Sequence, residues 1–137
     1  MQSPLTLTKA ERVCSKSLLE KLFGKGGKRT IVAYPLRAVY LIWEGEGVPV
    51  QMMVSVPKRN LKHAVDRNRV KRQVREAFRK HKMPLADAVK AQTGRRVAVA
   101  FVWMSQEVTD STLVETSVCR LLQKVQARVD GNTKSET

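Results

Sequence analysis

Hydrophobic positions change their spacing several times along the chain, and each change marks an element. Leu18, Leu19, Leu22 and Phe23 recur at helical spacing after Ser17. Ser17-Leu18-Leu19-Glu20 has the form of a capping box, as does Thr8-Lys9-Ala10-Glu11. The spacing predicts a short helix over about Ser17 to Phe23, stopped at Gly24, Gly26 and Gly27, since glycine tolerates the left-handed turn that ends helices. Thr30 to Ala33 reads as a short extended stretch interrupted by Pro35. Leu36 to Trp43, rich in Val, Tyr, Ile and Trp, and Val50 to Val56 read as two longer strands. Glu44-Gly45-Glu46-Gly47 lies between them as a turn, so the two are expected to form a hairpin. Pro57 ends the second. A helix follows, starting between Leu61 and Asp66 and running to about Lys82, with Pro84 as its limit. Arg95 to Met104 holds the unbroken apolar run Val97 to Trp103, which suits a central strand buried on both faces. Thr112 to Glu115 again fits a capping box. Val114, Val118, Leu121, Leu122 and Val125 then give an amphipathic helix to about Arg128.

The predicted order is α-β-β-β-α-β-α, an α+β class with helices packed on one face of a small sheet. The 137 residues fit a single domain spanning 1–137, ordered over about 6–128, with tails 1–5 and 130–137 flexible. Apolar content of 42% supports a folded core, and only 5% aromatic residues leave aliphatic side chains to fill it.

Charge changes the picture. Twenty-six Lys and Arg against twelve Asp and Glu give +14, which points to a polyanionic partner, nucleic acid first. An anionic membrane surface is the rival, but the basic segment holds one Phe and no Trp, against the usual interfacial composition. No run approaches the roughly 20 apolar residues of a membrane span, and Met1 to Thr8 does not resemble a signal peptide, so the expected location is cytoplasmic. Cys14 and Cys119 form no CxxC pair and, with His63 and His81 far from any ligand cluster, read as ordinary packing residues.

The segment Lys58 to Lys82 holds eleven cations against Asp66 and Glu76, a net +9. Projected at about 100° per residue, Val70, Val74, Ala77 and Phe78 fall in one arc of roughly 100° that must face a core. Asn68, Lys71, Arg72, Arg75 and Arg79 fall in the neighbouring arc. Like charges at i+4 oppose an isolated helix by a few tenths of a kcal/mol per pair, so an external anion is the natural complement. Arg forks suit phosphate, Lys adds compact charge, and Asn68 can meet a base edge or a ribose hydroxyl.

Catalytic patterns do not stand out. There is no His-Glu-His metal pattern, no Gly-x-Ser-x-Gly and no carboxylate cluster, and Gly24-Lys25-Gly26-Gly27-Lys28 lacks phosphate-loop spacing. These absences weigh against an autonomous nuclease. A DNA-binding regulator lacks an evident helix-turn-helix or dimerisation heptad. A ribosomal or other structural RNA-binding protein shares the charge and is separated only by the motif that follows.

Lys62 to Arg79 resembles the signature of the bacterial ribonuclease P protein family. Its heart is Arg67-Asn68-Arg69, followed by Val70-Lys71-Arg72 and Arg75-Glu76-Ala77-Phe78. Val54-Ser55-Val56-Pro57-Lys58-Arg59 resembles the strand end feeding that helix, and Leu22-Phe23-Gly24-Lys25-Gly26 resembles the family's first helix and its stop. The resemblance covers about residues 6 to 128. It implies the α-β-β-β-α-β-α fold of ribosomal protein S5 domain 2, with a left-handed β-α-β crossover. It implies a non-catalytic subunit of an endoribonuclease that removes the 5′ leader of precursor tRNA. The active site, with its Mg2+ ions, would lie in the RNA subunit, with one protein per RNA. RNA contact is implied for Lys58, Arg59, Lys62, Arg67, Asn68, Arg69, Lys71, Arg72, Arg75 and Arg79. A cleft for the single-stranded leader is implied at Leu19, Phe23, Tyr40, Met53 and Ser55, with Ile42 as the alternative to Tyr40. Leu19 stands where many members carry an aromatic residue.

Overall fold

A computed structural model describes residues 29–44, 50–91 and 95–129. The expected first helix at Ser17 to Phe23, the Glu44–Gly47 turn and both tails lie wholly or largely outside them.

Strand β1 (Arg29–Ala33) and strand β2 (Leu36–Glu44) pair antiparallel across a cis Tyr34–Pro35 bond. Strand β3 (Val50–Ser55) leads to helix α1 (Ala64–His81) and, after one residue, to helix α2 (Met83–Ala91). Strand β4 (Arg95–Trp103) and helix α3 (Ser111–Val129) complete the described chain. The sheet order is β1-β2-β4-β3, with β4 antiparallel to β2 and parallel to β3. A β-α-β crossover through α1 and α2 therefore joins β3 to β4.

The expected β2–β3 hairpin is not present, because β4 lies between the two strands. Residues Val97 to Trp103 are all buried, so this strand needs cover on both faces and ladder partners on both edges. The centre of the sheet provides both, and β3 is displaced to the edge.

Each described helix contributes to one core on one face of the sheet. Val70, Val74, Ala77 and Phe78 of α1, the stripe read from the sequence, are buried there. Leu36, Ala38, Tyr40, Val50, Met52, Val54, Val97, Val99, Phe101 and Trp103 meet them from the sheet. Phe78 and Phe101 pack edge to face, with centroids 6.2 Å apart. The opposite sheet face carries a smaller apolar cluster of Val39, Leu41, Ala98 and Ala100, with Met53 packed against it.

Helix α2 was not expected. Pro84, read as a limit, falls in the first turn of α2, where a missing N–H costs nothing. Leu85, Ala86 and Val89 bury one face of it, at spacings that fit a helix. The start of α3 also differs in detail. Asp110, not Thr112, caps it: its Oδ1 accepts from the Leu113 amide at 2.8 Å and its carbonyl from Val114 at 3.2 Å.

Candidate nucleic-acid interface

The approach to α1 is a tight turn over Pro57 to Leu61. The amides of Asn60 and Leu61 donate to the Pro57 carbonyl at 3.0 and 3.3 Å. Asn60 Nδ2 donates to the Trp103 carbonyl at 2.8 Å and so anchors the turn to the end of β4. Lys58 and Arg59 occupy its exposed apex, and Lys62 and His63 follow, also exposed.

Along α1, the half turned from the core is cationic. Asn68, Arg69 and Arg72 are exposed, while Lys71, Arg75 and Arg79 are half-buried. The helix has two borders. On one, Gln73 Nε2 donates to the Thr109 carbonyl at 3.0 Å and to Ser111 Oγ at 3.1 Å, and His81 Nε2 meets Glu115 Oε2 at 2.6 Å, so α3 lies along it. At about 100° per residue, Lys71 and Arg75 lie on the other border, toward β3. Arg69 falls outside the five-residue arc drawn from the sequence. It lines a shallow groove with Arg72, Gln73, Glu76 and Ser111. The cationic surface is therefore broader than a single column.

At least three predicted contact residues, Arg67, Arg75 and Arg79, are already engaged within the fold. Arg67 Nη1 donates to the carbonyls of Leu61 at 2.9 Å and Lys62 at 2.7 Å, tying the turn to the helix. Arg79 Nε donates to Glu76 Oε1 at 3.1 Å in an ion pair one turn long. That hydrogen bond holds the Glu76 carboxyl below its usual range. The His81 hydrogen bond, helped by the charge of Lys80, does the same for Glu115. Lys82, counted in the basic segment, is buried at the junction of α1 and α2 and adds nothing to the exposed face.

Of the expected leader cleft, Leu19 and Phe23 lie outside the described residues. Met53 and Ser55 share one sheet face, as their parity required, and both are half-buried. Tyr40 is corrected. It is 1% exposed, in the core beneath the helices and on the opposite face from Met53. The alternative, Ile42, packs against that same core. On β2 the residues that share the face of Met53 and Ser55 are Arg37, Val39 and Leu41, with Val39, Ala100 and Met53 in one register row. Arg37 was the available signal. A charged side chain in that alternation assigns Arg37, Val39 and Leu41 to the face opposite the described helices, and Tyr40 to the core. Among the described residues no group of three or more His, Cys, Asp or Glu side chains could hold a metal ion, and no helix is long and apolar enough to cross a membrane.

Comparison with known proteins finds relatives over most of the chain. A family profile described as Ribonuclease P matches residues 7–125. The ribonuclease P protein component of Porphyromonas gingivalis is 39% identical over 138 residues, covering 98% of this chain and 96% of that relative. The ribonuclease P protein component of Chlorobaculum tepidum is 31% identical over 105 residues, covering 73% and 68%. The solved structure of the ribonuclease P protein from Staphylococcus aureus superposes with a TM-score of 0.59 at 21% identity, over 88% of this chain and 92% of that one, a likeness of fold. With a nearly full-length match in sequence and the cationic helix in place, the chain belongs to the ribonuclease P protein family.

Proposed function

We propose that the chain is the protein subunit of a ribonuclease P holoenzyme. It binds the catalytic RNA and the 5′ leader of precursor tRNA, and so assists leader removal. The observation that carries this reading is the exposed half of α1. Arg69 and Arg72, with Lys58, Arg59 and Lys62 on the preceding turn, present fixed cations beside a buried apolar stripe. Phosphates are the anions whose spacing and charge suit such a surface, and Asn68 adds a group able to read a base or a 2′-hydroxyl.

Substrate handling is assigned to the neighbouring surface. β3 is an edge strand that passes beneath α1 and shows Met53 and Ser55 on its other face. Catalytic RNA held on α1 and a leader lying on that face would meet along one edge. Mild, sequence-tolerant contacts there suit a leader of variable sequence. No step of hydrolysis is assigned to the described residues, among which no group of three or more His, Cys, Asp or Glu side chains is gathered. The metal ions belong, on this reading, to the RNA.

Mixing the protein with a bacterial ribonuclease P RNA and a precursor tRNA at low magnesium tests the assignment. Stimulated cleavage at the mature 5′ end is expected. Unchanged cleavage across a protein titration would contradict it.

A further inference from the structure

We propose that the molecular edge where β1 meets α3, opposite the cationic helix, is a second RNA contact, with Tyr34 stacking on an unpaired base. This rests on the reading above that the partner is RNA.

Tyr34 is 66% exposed, although tyrosine usually buries most of its ring. Its backbone is held on every side. Ser117 Oγ donates to the Tyr34 carbonyl at 3.1 Å, the Met104 amide donates to the Pro35 carbonyl at 2.9 Å, and Lys124 Nζ reaches the Val32 carbonyl at 3.3 Å. A bulky ring displayed on a fixed turn loses little freedom on binding, which is what a stacking platform requires. Two further exposed apolar side chains lie on the elements that meet at this edge, one on each side of the sheet. Val32, 49% exposed, precedes the turn on β1, and Leu113, 45% exposed, lies one helical turn before Ser117 on α3.

Charge decides the occupant. Lys124 is exposed on the border of α3 that faces β1, and Arg120, exposed one turn before it, lies further toward the outward face, where it also lines a groove with His81 and Glu115. Arg37 is paired in register with Val32, on the sheet face turned away from α3. Asp110 heads the same border, but its carboxylate is turned back onto the Leu113 amide. An exposed aromatic ring with Lys124 and Arg120 on the helix that holds its turn and Arg37 on the next strand matches a base and its phosphates. A second copy of the chain would bring the same cations against these, and Lys124 already covers an outward carbonyl of β1 that strand pairing would need.

Position gives the contact its role. In the order β1-β2-β4-β3 the two outer strands are three spacings apart, about 14 Å. α1 flanks α3 through the His81–Glu115 pair, on the side away from β1. An RNA that touches both edges is held at two separated points, so the protein acts as a spacer between two of its segments.

Affinity of the full chain for a bacterial ribonuclease P RNA, measured against salt, tests this. Tyr34→Ala should weaken binding by about tenfold, and Tyr34→Phe, which keeps the ring, should stay within about twofold. Arg120→Ala should lower the log–log salt slope by roughly 0.7 to 0.9. Both side chains are exposed, so urea midpoints should not move, and that readout separates lost contact from lost fold. Wild-type affinity for Tyr34→Ala and Arg120→Ala, while an Arg69→Ala, Arg72→Ala double variant binds weakly, would overturn the second contact and leave the functional reading intact. Failure of the wild-type chain to bind would overturn both. A change in sedimentation of free Tyr34→Ala, with RNA affinity unchanged, would assign the surface to self-association and likewise overturn the proposal.

Discussion

The motif Arg67-Asn68-Arg69 divides its labour. Asn68 and Arg69 face solvent, whereas Arg67 turns back to the carbonyls of Leu61 and Lys62. Sequence alone gave the three one role, since a motif names residue types and not directions. Arg67→Ala should therefore cost stability of about 1 kcal/mol, read as a lower urea midpoint, before any effect on RNA affinity. An unchanged midpoint would return Arg67 to the RNA-facing set. Acid stability gives a second check. Glu76 and Glu115 both titrate below the ordinary carboxylate range because Arg79 and His81 hydrogen-bond them. A lowered folded-state pKa means that the unfolded chain takes up protons first as pH falls, so each pair stabilises above about pH 4.5 and is lost below it. Both pairs are largely exposed, so the slope is shallow. Glu115→Gln should flatten the fall in urea midpoint between about pH 5 and 3; an unaltered acid limb would show that the pair does not act in solution.

Elements were legible where the apolar period was long and unbroken. The Val70-Val74-Ala77-Phe78 stripe and the Val97–Trp103 run specified α1 and β4 nearly to their ends. Pairing was not legible, because β2 and β3 are each compatible with a hairpin until β4 claims the place between them. The same gap misplaced Tyr40: Arg37 was the one hint of the parity of β2, and the β4 register fixes that parity relative to β3. Helix α2 was lost to a one-sided reading of Pro84, which stops one helix and opens the next. The cap of α3 is the sharpest test at this scale. Asp110→Ala should cost about 1 kcal/mol by removing the acceptor of the Leu113 amide, while Thr112→Ala should leave the urea midpoint nearly unchanged. Equal losses in the two variants would favour the Thr112 capping box instead.

For the whole molecule, the fold sorts charge from packing. The three described helices bury their apolar sides on one sheet face, and α1 still turns Asn68, Arg69 and Arg72 outward, with Arg79 turned to Glu76, Arg67 to the preceding turn and Arg75 engaged within the fold. The strong imbalance of charge was plain in the composition; its distribution over both borders of α1 and the β1–α3 edge required the packing. The central claim is that the outward half of α1 docks RNA through phosphates. Its most direct measurement is the affinity for ribonuclease P RNA as a function of salt, for the wild-type chain and the Arg69→Ala, Arg72→Ala double variant. Loss of two phosphate contacts should weaken binding and reduce the log–log slope by roughly 1.4 to 1.8. A folded double variant with the wild-type slope would contradict the claim.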